Sequence, residues 1–304
     1  MLNLKNSIFN YLAINENRVV TFDNNKLYPS EGWCVIMLGG PGSGKGYFRK
    51  NKLPIDAKII DVDELKEKFK KLGLAKDILN GEEYDSSNPK HVSALHMAVK
   101  QHGWKTKILN MFFNDVKQTG HLANILFDIT GADPDHSVRD KILTVVKALG
   151  YKTCVIWVIT QREQAMIRNL QRDRSVSDSI LHGIHQNLAI NLPAFLQNPD
   201  NAKYIDNLWL YFSSSIDISK TVSKEEDIQN LIKIPKIEGK YEFSKNINDK
   251  LCHYAVATAQ SDYISSAELI HKYGIVSFDK NGKRKVKFDT SKMSNVDLKA
   301  DDND

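Results

Sequence analysis

A run of apolar residues that leads into a glycine-rich segment constrains the fold of this chain more than any other feature. Residues 34–38 read Cys-Val-Ile-Met-Leu, and residues 39–46 continue with Gly-Gly-Pro-Gly-Ser-Gly-Lys-Gly. The short apolar run predicts a buried strand, and residues 47–50 can continue as a helix. Strand, glycine loop and helix in this order are typical of a loop that binds phosphate groups.

The chemistry of such a loop follows from its backbone. Glycines allow positive φ, so that backbone N–H groups can approach an anion, and the start of the helix adds roughly half a positive charge. Lys45 would reach the β- and γ-phosphates. The predicted nucleotide-binding residues are Gly40, Pro41, Gly42, Ser43, Gly44, Lys45, Gly46 and Tyr47. The alternative interpretation is an ordinary turn between a strand and a helix.

One position of the loop departs from the usual motif. The Ser or Thr expected after the lysine, whose hydroxyl holds Mg²⁺, is replaced by Gly46, and Tyr47 follows. If Mg²⁺ accompanies the nucleotide, we expect carboxylates, water or Ser43 to complete its ligand shell.

The composition is that of an ordinary globular protein. The chain has 304 residues, of which 41% are hydrophobic and 26% charged. A net charge of +5 permits an anionic substrate but does not indicate a surface that coats nucleic acid. Three cysteines lie far apart in sequence, and no apolar run approaches the roughly 18 residues of a membrane span. We therefore expect a cytoplasmic protein without a membrane partner.

Predicted strands and helices alternate after the loop. Strands are predicted at 57–63, 124–131, 153–160 and 209–212, and helices are predicted between them. This alternation favours an α/β fold with a doubly wound parallel sheet.

The chain divides by composition into four predicted parts. These are an N-terminal extension (1–31), the main α/β domain (32–219), a small α+β appendage (220–290) and a disordered acidic tail (291–304). Within the appendage, the pattern predicts a charged helix at 222–233, a polar linker at 234–245, a helix at 254–273 and a hairpin at 274–288.

Acidic residues end two of the predicted strands. Ligands of open α/β sheets bind beyond the carboxyl ends of the strands, where Asp61, Asp63 and Asp128 are expected. Asp63 is our candidate for the base that deprotonates an acceptor hydroxyl, and a helix N-cap is its alternative role. Asp128 would hold a metal ion or water, with the Thr130 hydroxyl on the same side of the strand, or both merely end the strand.

A basic segment follows the fourth predicted strand. Arg168 and Arg172 share a helix face, and Arg174 comes shortly after them. On a short mobile flap these guanidinium groups could close over the γ-phosphate, and a solvated charged face is the alternative. The nine histidines show no metal-ligand spacing, so surface or packing roles are expected for them.

Taken together, these motifs resemble the small P-loop kinases of the zeta-toxin and polynucleotide-kinase type over about residues 33–215. The resemblance implies that Asp63 is the acceptor-hydroxyl base. It also implies that Arg168, Arg172 and Arg174 bind phosphate, and that Asp128 and Thr130 lie on the substrate side, where the position of Asp61 at a strand end places it as well. The loop wording, Gly-Lys-Gly, is similar to that of nucleoside-monophosphate kinases.

The resemblance implies an ATP-dependent kinase that uses Mg²⁺ and phosphorylates a hydroxyl of a nucleotide-sugar, a nucleoside or a nucleic-acid end. A nucleoside-monophosphate kinase is one alternative. A nucleotide-binding regulatory or assembly protein with weak or lost transfer activity is another, and Gly46 favours it. The Asn/Lys/Ile-rich composition suits a bacteriophage gene or an AT-rich bacterial gene, and for a phage gene the expected location is the host cytoplasm. A protein partner such as an antitoxin stays open.

Overall fold

The computed structural model describes residues 29–53, 55–61, 74–85, 88–101, 104–171, 176–213, 231–260, 266–278 and 284–288. The strands are β1 (Trp33–Leu38), β2 (Lys58–Asp61), β3 (Ile125–Ile129), β4 (Lys152–Ile159), β5 (Asn207–Phe212), β6 (Leu231–Ile234), β7 (Lys236–Ile237), β8 (Lys240–Tyr241), β9 (Gly274–Phe278) and β10 (Arg284–Phe288). The α-helices are α1 (Lys45–Asn51), α2 (Leu74–Ile78), α3 (Pro89–Gln101), α4 (Trp104–Thr119), α5 (Thr144–Ala148), α6 (Arg162–Gln171), α7 (Asp178–Gln197), α8 (Pro199–Ala202), α9 (Lys245–Gln260) and α10 (Ser266–Tyr273).

Six of these strands form one mostly parallel sheet, in the order β2-β3-β1-β4-β5-β6. Strands β4 and β5 pair in parallel, with Cys154 opposite Asn207 and Ile159 opposite Phe212. The apolar side chains of β4 are buried from Cys154 to Ile159, as expected for a parallel strand covered on both faces. The predicted α/β fold with a doubly wound sheet is confirmed.

The last strand of the sheet was not expected. The sequence pattern predicts a helix at 222–233, but the last residues of this segment belong to β6. This strand pairs antiparallel to β5, with Ile234 opposite Leu208. The four residues Leu-Ile-Lys-Ile are too few to distinguish a helix from a strand by periodicity, and hydrogen bonding to β5 decides the outcome. β6 belongs to the main sheet although it lies beyond residue 219, the predicted end of the main domain. The boundary between the main domain and the appendage stays a prediction.

The rest of the C-terminal region differs in part from the expected pattern. The segment predicted as a polar linker contains the antiparallel pair β7 and β8, and the buried Tyr241 hydroxyl donates to the Ile205 carbonyl at 2.9 Å. The helix predicted at 254–273 is two helices, α9 and α10. The predicted hairpin is confirmed, since β9 and β10 pair antiparallel with Val276 opposite Val286.

A π-helix occupies part of the helix predicted after β3. Residues Asp135–Leu143 form it, and α5 follows directly. The N–H of Thr144 donates to the carbonyl of Arg139, five residues earlier, which is the π-helical spacing. Val138, Ile142 and Leu143 are buried by this winding. Gly150, which follows α5 after one residue, has φ of +90°, as is common for a glycine that ends a helix.

The chain divides into two compact units. The first comprises residues 1–34, 55–127 and 149–151, and the second comprises residues 35–54, 128–148 and 152–304. In the first unit, Phe113 packs on Phe112 and Phe127, with ring centroids 5.7 and 6.5 Å apart. In the second, the buried Trp157 of β4 meets Tyr254 of α9 edge to face, with ring centroids 6.0 Å apart.

None of the helices that the structure describes combines the length and apolar character needed to cross a membrane.

Candidate functional site

The glycine loop connects β1 to α1 within the second unit, so the predicted order of strand, loop and helix is confirmed. The loop is anchored at its start, where the Gly39 N–H donates to the Thr130 carbonyl at 3.1 Å. Gly44 caps the helix with φ of +89°, in the left-handed region that favours glycine. The first helical turn then closes with a bond of 3.0 Å from the Phe48 N–H to the Gly44 carbonyl.

The five carbonyls from Gly39 to Ser43 each accept a hydrogen bond from a side chain. Lys45 Nζ donates to Gly39 at 2.6 Å and to Gly40 at 3.3 Å, His185 Nε2 bonds Pro41 at 3.0 Å, Arg168 Nη1 donates to Gly42 at 3.4 Å, and Ser213 Oγ donates to Ser43 at 2.6 Å. We call these four donors the carbonyl-binding side chains.

Binding the carbonyls also orients the N–H groups of the loop. In a trans peptide, the C=O and the following N–H point in opposite directions. Fixing the carbonyls of Pro41 and Ser43 therefore directs the N–H groups of Gly42 and Gly44 away from His185 and Ser213. A backbone with N–H groups held outward in this way can receive an anion.

Two loop positions have no room for a side chain. A Cβ at Gly40 would lie 2.6 Å from Cε1 of His185. A Cβ at Gly42, where φ is +74°, would lie 2.9 Å from the Cα of Ala165. Close approach of the loop to α6 and α7 therefore requires glycine at both positions.

His185 lies on α7 with its imidazole buried against the loop. Burial lowers the pKa of His185 to about 4, and the charges of Lys45, Arg162 and His182 act in the same direction, while the bond to Pro41 opposes them. The ring is therefore neutral at pH 7. Because a carbonyl can only accept, the proton of this neutral ring is on Nε2.

Two positive charges flank the carboxylate at the end of β3. Asp128 Oδ1 lies 3.7 Å from Lys45 Nζ, and Oδ2 lies 3.7 Å from Arg49 Nη1. The expectation that Asp128 lies beside the glycine loop is thus met in the geometry. Arg49 was missed, although it follows Lys45 by four residues and so shares a face of α1 with it.

The remaining predicted site residues are only partly described. Thr130 is exposed and contributes its carbonyl to the loop anchor. Asp61 ends β2 in the first unit, and its side chain is outside the description. Asp63, Arg172 and Arg174 lie outside the described residues.

Arg168 does not lie on a flap, contrary to expectation. It belongs to α6, it is only 3% exposed, and its guanidinium donates to Ser213 as well as to the loop. A buried guanidinium offers several fixed donors, which suits the binding of neighbouring backbone oxygens. Ser213 itself was missed, because nothing in the local sequence after β5 marks it.

Asp128 is a described carboxylate beside the glycine loop that could help to hold Mg²⁺, which in phosphate sites usually takes one or two carboxylates together with phosphate and water oxygens. Among the described residues, no group of three or more His, Cys, Asp or Glu side chains is placed to hold a metal ion. Gly46 brings no ligand, and Asp128 already faces two cations. The Ser43 hydroxyl is buried without a hydrogen-bond partner in the described part of the chain. It packs against Gly39, where a Cβ would be only 2.7 Å away, so it lies against the backbone of the loop.

Neither a family model nor a curated protein matches this chain. Among solved structures, it resembles one from the PezAT chromosomal toxin–antitoxin system of Streptococcus pneumoniae, with 15% identity over 83% of this chain and 93% of that one and a TM-score of 0.46. It also resembles the AvrRxo1-ORF1:-ORF2 complex solved with ATP, with 12% identity over 89% of this chain and 76% of that one and a TM-score of 0.46.

Proposed function

We propose that this protein is an ATP-dependent phosphotransferase in which the loop at 39–46 holds the triphosphate. The observation that carries the proposal is the set of four carbonyl-binding side chains, which fixes the loop with N–H groups of Gly42 and Gly44 outward beside Lys45. Phosphoryl transfer depends mainly on positioning and on electrostatic stabilisation of negative charge, so a preformed cradle with an adjacent cation supports this function.

Each residue then has a defined task. The loop N–H groups bind the phosphate oxygens, and Lys45 leaves the Gly39 and Gly40 carbonyls to bind the transferred group. As Lys45 leaves, Arg49 stays beside Asp128 and balances its charge. Asp63 takes the proton of the acceptor hydroxyl, and Arg172 and Arg174 bind the phosphate from outside the loop. These last three roles rest on the sequence motifs.

The proposed acceptor is a hydroxyl of a nucleotide-sugar, a nucleoside or a nucleic-acid end. Incubation with ATP labelled at the γ-phosphate and a panel of these three classes tests the proposal and selects among them. The panel includes nucleoside monophosphates, whose phosphorylation would identify the monophosphate-kinase alternative. We expect label in one acceptor class. Labelling of none, with no ADP formed, contradicts the proposed transfer.

Nucleotide binding is tested separately with Lys45→Ala. Loss of charge-assisted bonds to phosphate should weaken ATP binding by roughly 10- to 100-fold in a titration. Lys50→Ala is the matched control, because Lys50 lies on the same helix with its side chain exposed. Equal affinities of the wild type and Lys45→Ala would overturn the assignment of the loop.

The acceptor base is tested with Asp63→Asn. Removal of a positioned general base should slow transfer by about 10²- to 10⁴-fold with ATP affinity unchanged. Asp77→Asn, at an exposed position of α2, is the control. Full transfer activity in Asp63→Asn would show that another group accepts the proton.

A second candidate function is nucleotide binding without transfer, in a regulatory or assembly protein. The observation that favours it is Gly46, which lacks the hydroxyl that usually holds Mg²⁺ after the loop lysine. This function predicts ATP binding that depends on Lys45. It also predicts that no acceptor is labelled and that no ADP is formed.

A further inference from the structure

The contact between α7 and the glycine loop joins residues far apart in sequence. His185 and Pro41 are 144 positions apart, and the ring nitrogen Nε2 lies 3.0 Å from the Pro41 carbonyl oxygen. The same ring lies so close to Gly40 that a Cβ there would be within 2.6 Å of Cε1. The imidazole therefore packs against the loop at Gly40 and forms a hydrogen bond with it at Pro41.

We infer that His185 is a positioning residue for the phosphate loop, through a hydrogen bond from Nε2–H to the Pro41 carbonyl. The inference rests on the proposed nucleotide binding by that loop. Proline has no N–H and a fixed φ, so the orientation of the peptide between Pro41 and Gly42 is set mainly at its carbonyl. With that carbonyl bound to His185, the Gly42 N–H points to the opposite side, where it can donate to a phosphate oxygen.

Packing alone does not account for an imidazole at this position. The side chain is buried, and Nδ1 has no hydrogen-bond partner in the described part of the chain. A buried polar atom without a partner lowers stability, and a leucine would fill similar space without that cost. What the imidazole adds over an apolar side chain is the single N–H directed at the loop.

The contact also differs in kind from the bond made by Lys45. Lys45 must release the two carbonyls to reach a phosphate. His185 is neutral and buried, so it is not drawn away from the Pro41 carbonyl by a phosphate. His185 thus holds the loop in the same orientation before and after the nucleotide enters. Its contribution is to the affinity for the nucleotide, without a contact to the reacting atoms.

The test compares two substitutions of the full-length protein. His185→Gln keeps an N–H donor at a similar distance from the backbone, whereas His185→Leu removes it. We expect His185→Leu to weaken ATP binding by roughly 3- to 10-fold, the effect of one net hydrogen bond, and His185→Gln to restore affinity to within about 2-fold of the wild type. His136→Leu, at an exposed position in the same unit, serves as the control.

Thermal unfolding of each variant separates a loop effect from loss of the fold. If the leucine and glutamine variants bind ATP equally, whether both weakly or both as the wild type does, the positioning role is overturned. If the leucine variant does not fold, the comparison of His185→Gln with the wild type and the following measurement decide instead.

NMR of the wild-type imidazole tests the contact without a substitution or a nucleotide. The ring nitrogens should show a neutral ring at pH 7 with the proton on Nε2. A proton on Nδ1, or a ring that titrates near pH 6.5, would overturn the inference. If the wild type shows no ATP binding that depends on Lys45, the proposed function fails, whereas the NMR result still reports on the bond to Pro41.

Discussion

The glycine loop and the end of β3 are both polar parts of the candidate site, but they are held in different ways. The loop carbonyls are bound at 2.6 to 3.4 Å by side chains from α1, α6, α7 and the residue after β5. Asp128 has its two cations at 3.7 Å, beyond the usual length of a hydrogen bond. The comparison indicates a rigid binding surface next to a carboxylate that can exchange its partners.

The largest effect is expected from Gly42→Ala, in the glycine loop, whose carbonyls are held by hydrogen bonds. Gly42→Ala places a Cβ against the backbone of Ala165 and also requires positive φ. We expect a loss of about 1–2 kcal/mol from the backbone conformation and roughly 1–3 kcal/mol more from the clash, with loss of ATP binding. Chemical denaturation measures the first effect and ligand titration the second.

Gly81→Ala is the matched control for that substitution. Gly81 has φ of +95° but nothing within 4 Å of a built Cβ. It should therefore lose only the conformational part, about 1–2 kcal/mol. Equal losses of stability in the two variants would mean that the approach of α6 does not constrain the loop.

The buried ring of His185 predicts a dependence of stability on pH. In the unfolded chain the ring takes up a proton below about pH 6.5, whereas in the folded protein burial holds the pKa at about 4. Falling pH between these values therefore favours the unfolded state, by about 3 kcal/mol in total. Lys45, Arg162 and His182 face the ring and keep it neutral in this range.

The measurement is the free energy of unfolding of the wild type and of His185→Gln between pH 4 and 7. Other groups titrate in both proteins, including Asp206, whose pKa is lowered because bonds from Lys147 and Thr153 outweigh its burial. The difference between the two curves isolates His185. Parallel curves would show that the ring does not resist protonation.

A smaller effect is expected from Ser213→Ala. The substitution removes the bond to the Ser43 carbonyl and one of the acceptors of Arg168. Each bond has a net value of about 1 kcal/mol, so a loss of roughly 1–2 kcal/mol should appear in denaturation, together with weaker ATP binding. Ser179→Ala, at an exposed position of α7, should change stability by less than about 0.5 kcal/mol.

The smallest effect on stability is expected from Asp128→Asn. Ion pairs of this length contribute about 0–1 kcal/mol, so the unfolding curve should move little. If Asp128 takes part in transfer, the rate should fall although the protein remains folded and binds ATP. A large loss of stability would place Asp128 among the rigid parts of the site.

The sequence was sufficient for features that depend on local pattern. The apolar run before Gly39, the alternation of strands and helices, and the hairpin near the C-terminus are local signals, and each is present in the structure. The nearness of Asp128 to the glycine loop followed from a topological rule, since the loop follows the end of β1 and Asp128 lies near the end of β3.

The features that were missed depend on tertiary contact. His185 and Ser213 bond the loop from 144 and 170 positions away, so no local spacing could reveal them. Strand β6 exists because β5 offers an unpaired edge, and four residues carry too little pattern to predict that. The π-helix arises from a bonding register, five residues apart, which amino-acid propensities do not encode.

If the loop at 39–46 holds a triphosphate as proposed, the bonds from Lys45 to the Gly39 and Gly40 carbonyls affect how strongly nucleotides with different numbers of phosphates are bound. Without a ligand, the ammonium group donates to two carbonyl oxygens and lies 3.7 Å from the Asp128 carboxylate, so a ligand recruits it only by binding it more strongly than these groups do. A nucleoside monophosphate that reaches only the start of the cradle leaves this internal arrangement in place. A triphosphate long enough to reach the amine would replace the bonds to the carbonyls. The loop would thereby bind triphosphates in preference to monophosphates, before an acceptor binds.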